Sequence, residues 1–148
     1  MDVSLKDPVV QSYIFYSAVL ALKMFAITFL TGKTRVAKKV FANEEDTNLN
    51  NGKVKYDDPD VERVRRAHLN DLENLPAFWI LAALYVTTGP AVWWAKTLFR
   101  TFTVARIIHT FVYAVVPMQP ARGISFGISC FINIYMAVSV MFYYMAAW

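Results

Sequence analysis

Cysteine is nearly missing from this chain. Cys130 is the only one in 148 residues, so an intrachain disulfide is excluded. It stands in an apolar run, where a buried inert thiol is the simplest reading. The only histidines are His68 and His109, and no Cys/His array completes a metal site, so no metal is expected. Glycine is scarce, and no glycine-rich loop of the kind that cradles phosphate is present. The N-terminus, Met1-Asp2-Val3-Ser4, lacks the basic start of a secretory signal. Its first apolar stretch is followed by a basic segment, not by a small-residue cleavage site. We read that stretch as a retained membrane span.

What is there is apolar. Hydrophobic residues make up 57% and charged residues 18%, too greasy for a typical soluble domain of this size. The length suits a single domain over residues 1–148. There is no convincing internal repeat or low-complexity tract. A net charge of +4 alone could suggest nucleic acid or anionic lipid. The basic residues concentrate in one polar segment, which points to membrane orientation, and no nucleic-acid partner is expected.

Four apolar stretches of spanning character lie at about 9–31, 64–87, 92–116 and 122–147, with a polar loop at about 32–60. They predict an all-α integral membrane four-helix bundle. Gly32 reads as the stop of the first helix. Lys23 interrupts that helix, and it either snorkels toward a headgroup region or pairs inside the bundle with Asp71. In the loop, Asn51-Gly52 is a turn signal. The loop is given no core of its own. Asp58-Pro59-Asp60 suits a helix start, with acidic groups at the positive end of the dipole. Pro76 removes a backbone donor from the second helix and should bend it. Gly89-Pro90 and Pro117 to Pro120 close the next two segments. The basic loop is expected on the cytoplasmic side. Both termini then lie opposite, where Tyr13, Tyr16, Trp93, Trp94, Tyr143, Tyr144 and Trp148 form an aromatic belt.

The densest charge lies in Val61 to Asn74, which runs directly into the apolar stretch beginning at Leu75. At about 100° per residue, Arg63, Arg66, Asn70 and Glu73 share an arc of about 80°. Such a stripe must face protein, water or a polar ligand, because an ionised group in hydrocarbon is costly. Arg106, His109 and Tyr113 form a second stripe at i, i+3, i+7. Arg35 and Arg122 fall at the same end of the bundle. Five arginines, Arg35, Arg63, Arg66, Arg106 and Arg122, are thus expected near one membrane level. Either they bridge internally to Glu62, Glu73 or Asp71, or they grip the carboxylates of a small zwitterionic ligand. Glu73 would then hold an ammonium or a neighbouring arginine. His109 is either a base or a satisfied bundle histidine, and Tyr113 either a ligand contact or a packing residue. On an ideal helix His68 points away from the Arg63/Asn70 stripe.

The run Val61 to Asn74 closely resembles the signature of the MAPEG family, membrane-associated enzymes of glutathione and eicosanoid metabolism. Lys23-Met24, Val40-Phe41-Ala42-Asn43, Ala105 to Thr110 and Gln119 to Gly123 match the same family in the same order. The resemblance implies a homotrimer in membrane lipid, with glutathione as co-substrate held between neighbouring subunits. Carried onto matching positions, it implies a glutathione-binding set of Arg35, Arg63, Arg66, His68, Asn70, Glu73, His109, Tyr113 and Arg122. Arg122 takes the catalytic role of stabilising the thiolate.

The implied activity is glutathione transfer to a hydrophobic electrophile from the lipid phase, with lipid hydroperoxide reduction beside it. The endoplasmic reticulum is the expected membrane, with the mitochondrial outer membrane as an alternative. Other branches of the family isomerise prostaglandin endoperoxide or bind lipid without catalysis. The isomerase branch has serine and tyrosine where this chain has Gly123 and Phe126, so the transferase branch is the better match. Thr47 follows Glu44-Glu45-Asp46 where some transferases carry a modifiable thiol, so activation through that loop is not expected. Asp46 aligns with a loop aspartate proposed to assist the isomerase.

Overall fold

The computed structural model describes residues 4–145, without the side chains of residues 49 and 50. Four long helices carry the fold: α1 (Pro8–Lys38), α3 (Pro59–Val86), α4 (Val92–Thr110) and α5 (Ala121–Tyr143). Between α1 and α3 lie β1 (Val40–Phe41), the short helix α2 (Glu44–Asn50) and β2 (Lys53–Val54). A π-helical turn, Phe111–Val115, extends α4.

The helix starts follow local chemistry. Asp7 accepts from the Val9 and Val10 amides ahead of Pro8, and Asp58 accepts from the Asp60 and Val61 amides ahead of Pro59. Pro76 lies inside α3 without ending it. Gly32 does not stop α1, contrary to the expected end near residue 31. Lys33, Arg35, Ala37 and Lys38 are good helix formers, so the helix runs on. It ends at Lys39, in the left-handed conformation at φ 53°. The extension carries Arg35 as part of a rigid helix rather than on a loop. At the other end of the chain, α5 stops at Tyr143 rather than near 147. Residues 146–148, including Trp148 of the expected aromatic belt, lie outside the described residues.

The loop is more ordered than expected. Val40 and Phe41 are buried, and β1 pairs parallel with β2. Asn51, in the left-handed conformation, turns the chain back, and Gly52 follows it. A Cβ on Gly52 would stand 2.4 Å from the Phe41 ring and 2.8 Å from the Lys39 carbonyl oxygen, so only glycine fits.

The bundle runs up, down, up, down. α1 packs on α3 and α4, and α5 packs on the same two, so α3 and α4 face each other across the diagonal. Phe78 stacks on Phe102 at 4.1 Å between ring centres and meets Phe99 edge-on at 5.9 Å. Small buried residues, Ala82, Ala95 and Ser129, let the helices approach closely. In lipid such contacts hold through dispersion and interhelical hydrogen bonds, because hydrocarbon outside is as apolar as the core. The outer faces expose Phe15, Leu22, Phe25, Phe29, Trp93 and Phe131, as a lipid-bathed surface should.

Among the described residues three helices are long and apolar enough to cross a bilayer by themselves: α1, α4 with its π turn, and α5. The fourth expected span, α3, is not. Its apolar part, Leu75 to Val86, covers only about 18 Å of a core about 30 Å thick. The polar half of α3 therefore needs neighbours to shield it.

Candidate functional site

Topology brings one end of every long helix together. The end of α1, the start of α3, the π turn after α4 and the start of α5 share one face of the bundle. Arg35, Arg63, Arg66, His109, Tyr113 and Arg122 are all on segments that meet there.

The innermost layer is a charge network. Asp71 is fully buried and carries two cations: the Lys23 ammonium from α1 and the Arg106 guanidinium from α4. Thr110 Oγ1 donates to the same carboxylate at 3.3 Å, and Arg106 Nη2 also donates to Asn70 Oδ1 at 3.0 Å. Lys23 thus pairs with Asp71, the partner its position suggested. Arg106, expected among the converging arginines, is 0% exposed and engaged inside the bundle. It shields and anchors α3 where that helix is too polar for lipid.

Above this layer the contacts continue toward the end of the bundle. His109 is 2% exposed, and its ring meets Tyr113 edge-on at 5.5 Å and Phe126 at 6.2 Å. Tyr113 sits in the π-helical turn and packs against Ile27, Val64 and Ala67. The Arg122 guanidinium lies over the Tyr113 ring, 4.6 Å from its centre. A guanidinium carries only donors, so the Gln119 amide, one turn earlier, is assigned with its oxygen toward Arg122, accepting from Nη2 at 2.7 Å and Nε at 3.1 Å. Sequence reasoning passed over Gln119. Its signal was the i, i+3 spacing to Arg122 across the start of α5. His109, Tyr113 and Arg122 thereby form one connected group from two helices and a turn, while Asn70 belongs to the Arg106 layer beneath it.

The remaining expected residues make no hydrogen bond or ion pair to this group among the described residues. Arg63 is half-buried, while Arg66 and Glu73 are exposed on the stripe that Asn70 shares. None of these three has a hydrogen bond or ion pair among the described residues. Arg65 instead pairs with Glu62 at 2.8 Å. His68 lines a shallow outer groove of α3 with Arg66, Leu69 and Leu72. Arg35 is half-buried, and its Nη1 is enclosed with no partner, as is His109 Nδ1. Donors in that state are costly unless a ligand or neighbour satisfies them. Among the described residues no cluster of His, Cys, Asp or Glu could hold a metal ion.

At the entry of α3, Lys38 hydrogen-bonds Asp60, which ties the end of α1 to the start of α3. That hydrogen bond and the adjacent ammonium charge hold the Asp60 carboxyl below the usual carboxylate range.

The fold is thus a membrane-embedded helical bundle with an arginine-lined polar end. Residues 13–142 match the MAPEG family, and the chain belongs to it. It is 37% identical over 142 residues to a protein named Microsomal glutathione S-transferase 1 from Sus scrofa, covering 93% of this chain and 92% of that one. The Homo sapiens protein of the same name is 38% identical over 140 residues, covering 91% and 90%. A Prostaglandin E synthase from Macaca fascicularis is 34% identical over 130 residues, covering 86% and 85%. The chain is thus similar to enzymes of two kinds.

Proposed function

We propose that this protein is a membrane glutathione S-transferase that conjugates glutathione to hydrophobic electrophiles and also reduces lipid hydroperoxides. The observation that carries this reading is the held guanidinium of Arg122. It is fixed by Gln119 and the Tyr113 ring, at the end of the bundle where Arg35 and Arg66 make no salt bridge among the described residues.

The chemical task is to keep a thiol ionised. A free cysteine thiol has a pKa near 8.5, so little is thiolate at neutral pH. Lowering it by about two units needs roughly 2.7 kcal/mol of differential stabilisation. One guanidinium in a partly dehydrated site supplies that order of magnitude. Arg122 takes this role. Arg35, Arg63 and Arg66 hold the carboxylates, Glu73 the ammonium, and Asn70, His68, His109 and Tyr113 complete the contacts. The thiolate then attacks an activated carbon and the leaving group departs with its electron pair.

Assembly follows from the uncovered stripe on α3. Arg66 and Glu73 stand exposed beside exposed Leu69 and Leu72. Lipid disfavours the charges and water disfavours the leucines, so a second subunit is the natural cover. A homotrimer with glutathione between subunits is the arrangement we propose, in the endoplasmic reticulum or outer mitochondrial membrane.

The deciding experiment is conjugation of 1-chloro-2,4-dinitrobenzene by purified protein, with Arg122→Ala alongside. Arg122→Ala should lose the thiolate absorbance of bound glutathione and most of its turnover. Full thiolate formation in that variant would remove Arg122 from the mechanism. The similarity to prostaglandin E synthases keeps a second reading alive, isomerisation of prostaglandin endoperoxide. Gly123 and Phe126 weigh against it, and product analysis with that endoperoxide separates the two.

A further inference from the structure

An apolar seam between α4 and α5 runs from Ala121, beside Arg122, toward the opposite end of the molecule. An apolar cavity of about 440 Å³ lies between α4 and α5, walled by Val104, Ala105, Ile108, Ile124 and Ile128. A second furrow, reaching toward Trp94, meets it at Thr101 and Ile128. Together they make one apolar groove along the α4–α5 seam. Arg100 lines the cavity and also a separate polar hollow between the starts of α1 and α4, with Gln11, Ser12, Tyr16 and Lys96.

Around the hollow, at the end of the bundle away from Arg122, charge is one-sided. Arg100 Nε donates to the Tyr16 hydroxyl at 3.1 Å. Its other guanidinium donors have no protein partner among the described residues, and neither has Lys96. Asp7 is the acidic residue described here, and it caps α1. Arg100 stands about 12 Å along the axis from the first residue of α4. A cation at that depth is costly without an anion, even when it snorkels.

We propose that the hollow and groove bind one glycerophospholipid with a net negative head group, from the leaflet opposite the glutathione end. Its phosphate sits on Lys96 and Arg100, and an acyl chain follows the groove past Thr101, Val104 and Ile108. The order along α4 matches the order of a lipid along the bilayer normal: indole belt, cations, then apolar wall. The head group supplies the missing negative charge, and basic pockets between membrane helices are suited to anionic head groups. A zwitterionic lipid fills the groove equally well but brings its own cation beside Lys96.

The test uses the purified protein in mild detergent, offered phosphatidylglycerol and phosphatidylcholine with identical acyl chains. Bound lipid is counted by native mass spectrometry. The expected result is retention of phosphatidylglycerol on the order of tenfold over phosphatidylcholine. The double variant K96Q/R100Q should erase that preference. Gly127 lines the furrow, and a Cβ there meets nothing within 4 Å. Gly127→Leu should therefore fold normally and lower retention of both lipids severalfold. Equal retention of the two lipids by the parent protein overturns the proposal, as does a preference that survives K96Q/R100Q. Loss of the preference in K53Q/K55Q instead would move the anion to the other end and overturn it too. So would a change of oligomer mass in Gly127→Leu with no lipid bound to the parent, which would make the groove a protein contact.

Discussion

The amide oxygen of Gln119 accepts two hydrogen bonds from the Arg122 guanidinium, at 2.7 and 3.1 Å, across the first turn of α5. The proposed thiolate-stabilising group is thus positioned before any substrate arrives. Preorganisation of that kind lowers the ordering cost of binding. Gln119→Ala should reduce kcat/KM for conjugation by about tenfold, the range expected for a lost hydrogen bond to a charged group. Steady-state kinetics at fixed pH measures it, and unchanged kcat/KM would show that Arg122 needs no such support.

Tyr113 supports the same guanidinium through its ring face. Tyr113→Phe keeps the ring and should leave conjugation within about twofold, while Tyr113→Leu should cost about 0.5–2 kcal/mol of transition-state stabilisation. The comparison isolates the ring from the hydroxyl. If Tyr113→Phe proves as damaging as Tyr113→Leu, the hydroxyl is the working group.

Asp71 is the most consequential carboxylate for the fold. Asp71→Asn leaves Lys23 and Arg106 buried against a neutral amide, and should destabilise the bundle by about 3–5 kcal/mol. Lys23→Met preserves the Asp71–Arg106 pair and should cost much less. Thermal unfolding of the detergent-solubilised protein ranks the two. An Asp71→Asn midpoint equal to the parent would mean the network contributes nothing to stability.

The Lys38–Asp60 contact gives a pH signature. The carboxyl of Asp60 is held low in the folded protein. Its contribution is therefore present at neutral pH and is lost as pH falls through that lowered value. Both groups are exposed, so the effect is local and should fade with added salt. Protection of the amides in the last turn of α1, measured against their intrinsic exchange rates, should fall on acidification in the parent and be indifferent in Asp60→Asn.

Gly52→Ala tests the loop. The added methyl collides with the Phe41 ring and the Lys39 carbonyl, so β1 and β2 should separate. Faster proteolysis between residues 39 and 55, with the bundle intact, is the expected readout.

Much of this was legible along the chain. The helix starts at Pro8 and Pro59 were written in Asp-Pro pairs, whose capping chemistry is local. The Asn51-Gly52 turn was legible for the same reason. The pairing of Lys23 with Asp71 could be anticipated because two lone charges in apolar helices need each other. Gly32 misled because a glycine ends a helix only when the chain there turns left-handed, and Lys39 makes that turn instead. Arg106 misled in another way. Its spacing put it on the stripe of His109 and Tyr113, but spacing says nothing about which carboxylate stands across the bundle.

Apolar length, charge placement and capping residues are enough to dictate a bundle of long helices with an arginine-rich end, because those effects act within a few turns of one helix. Which arginine is locked inside and which remain available is a matter of helix register. So are the hold of Gln119 and Tyr113 on Arg122 and the mating of a polar hollow with an apolar groove at Arg100. Register is set only when four helices pack at once, since each contact joins residues far apart in the chain whose separation no local rule encodes.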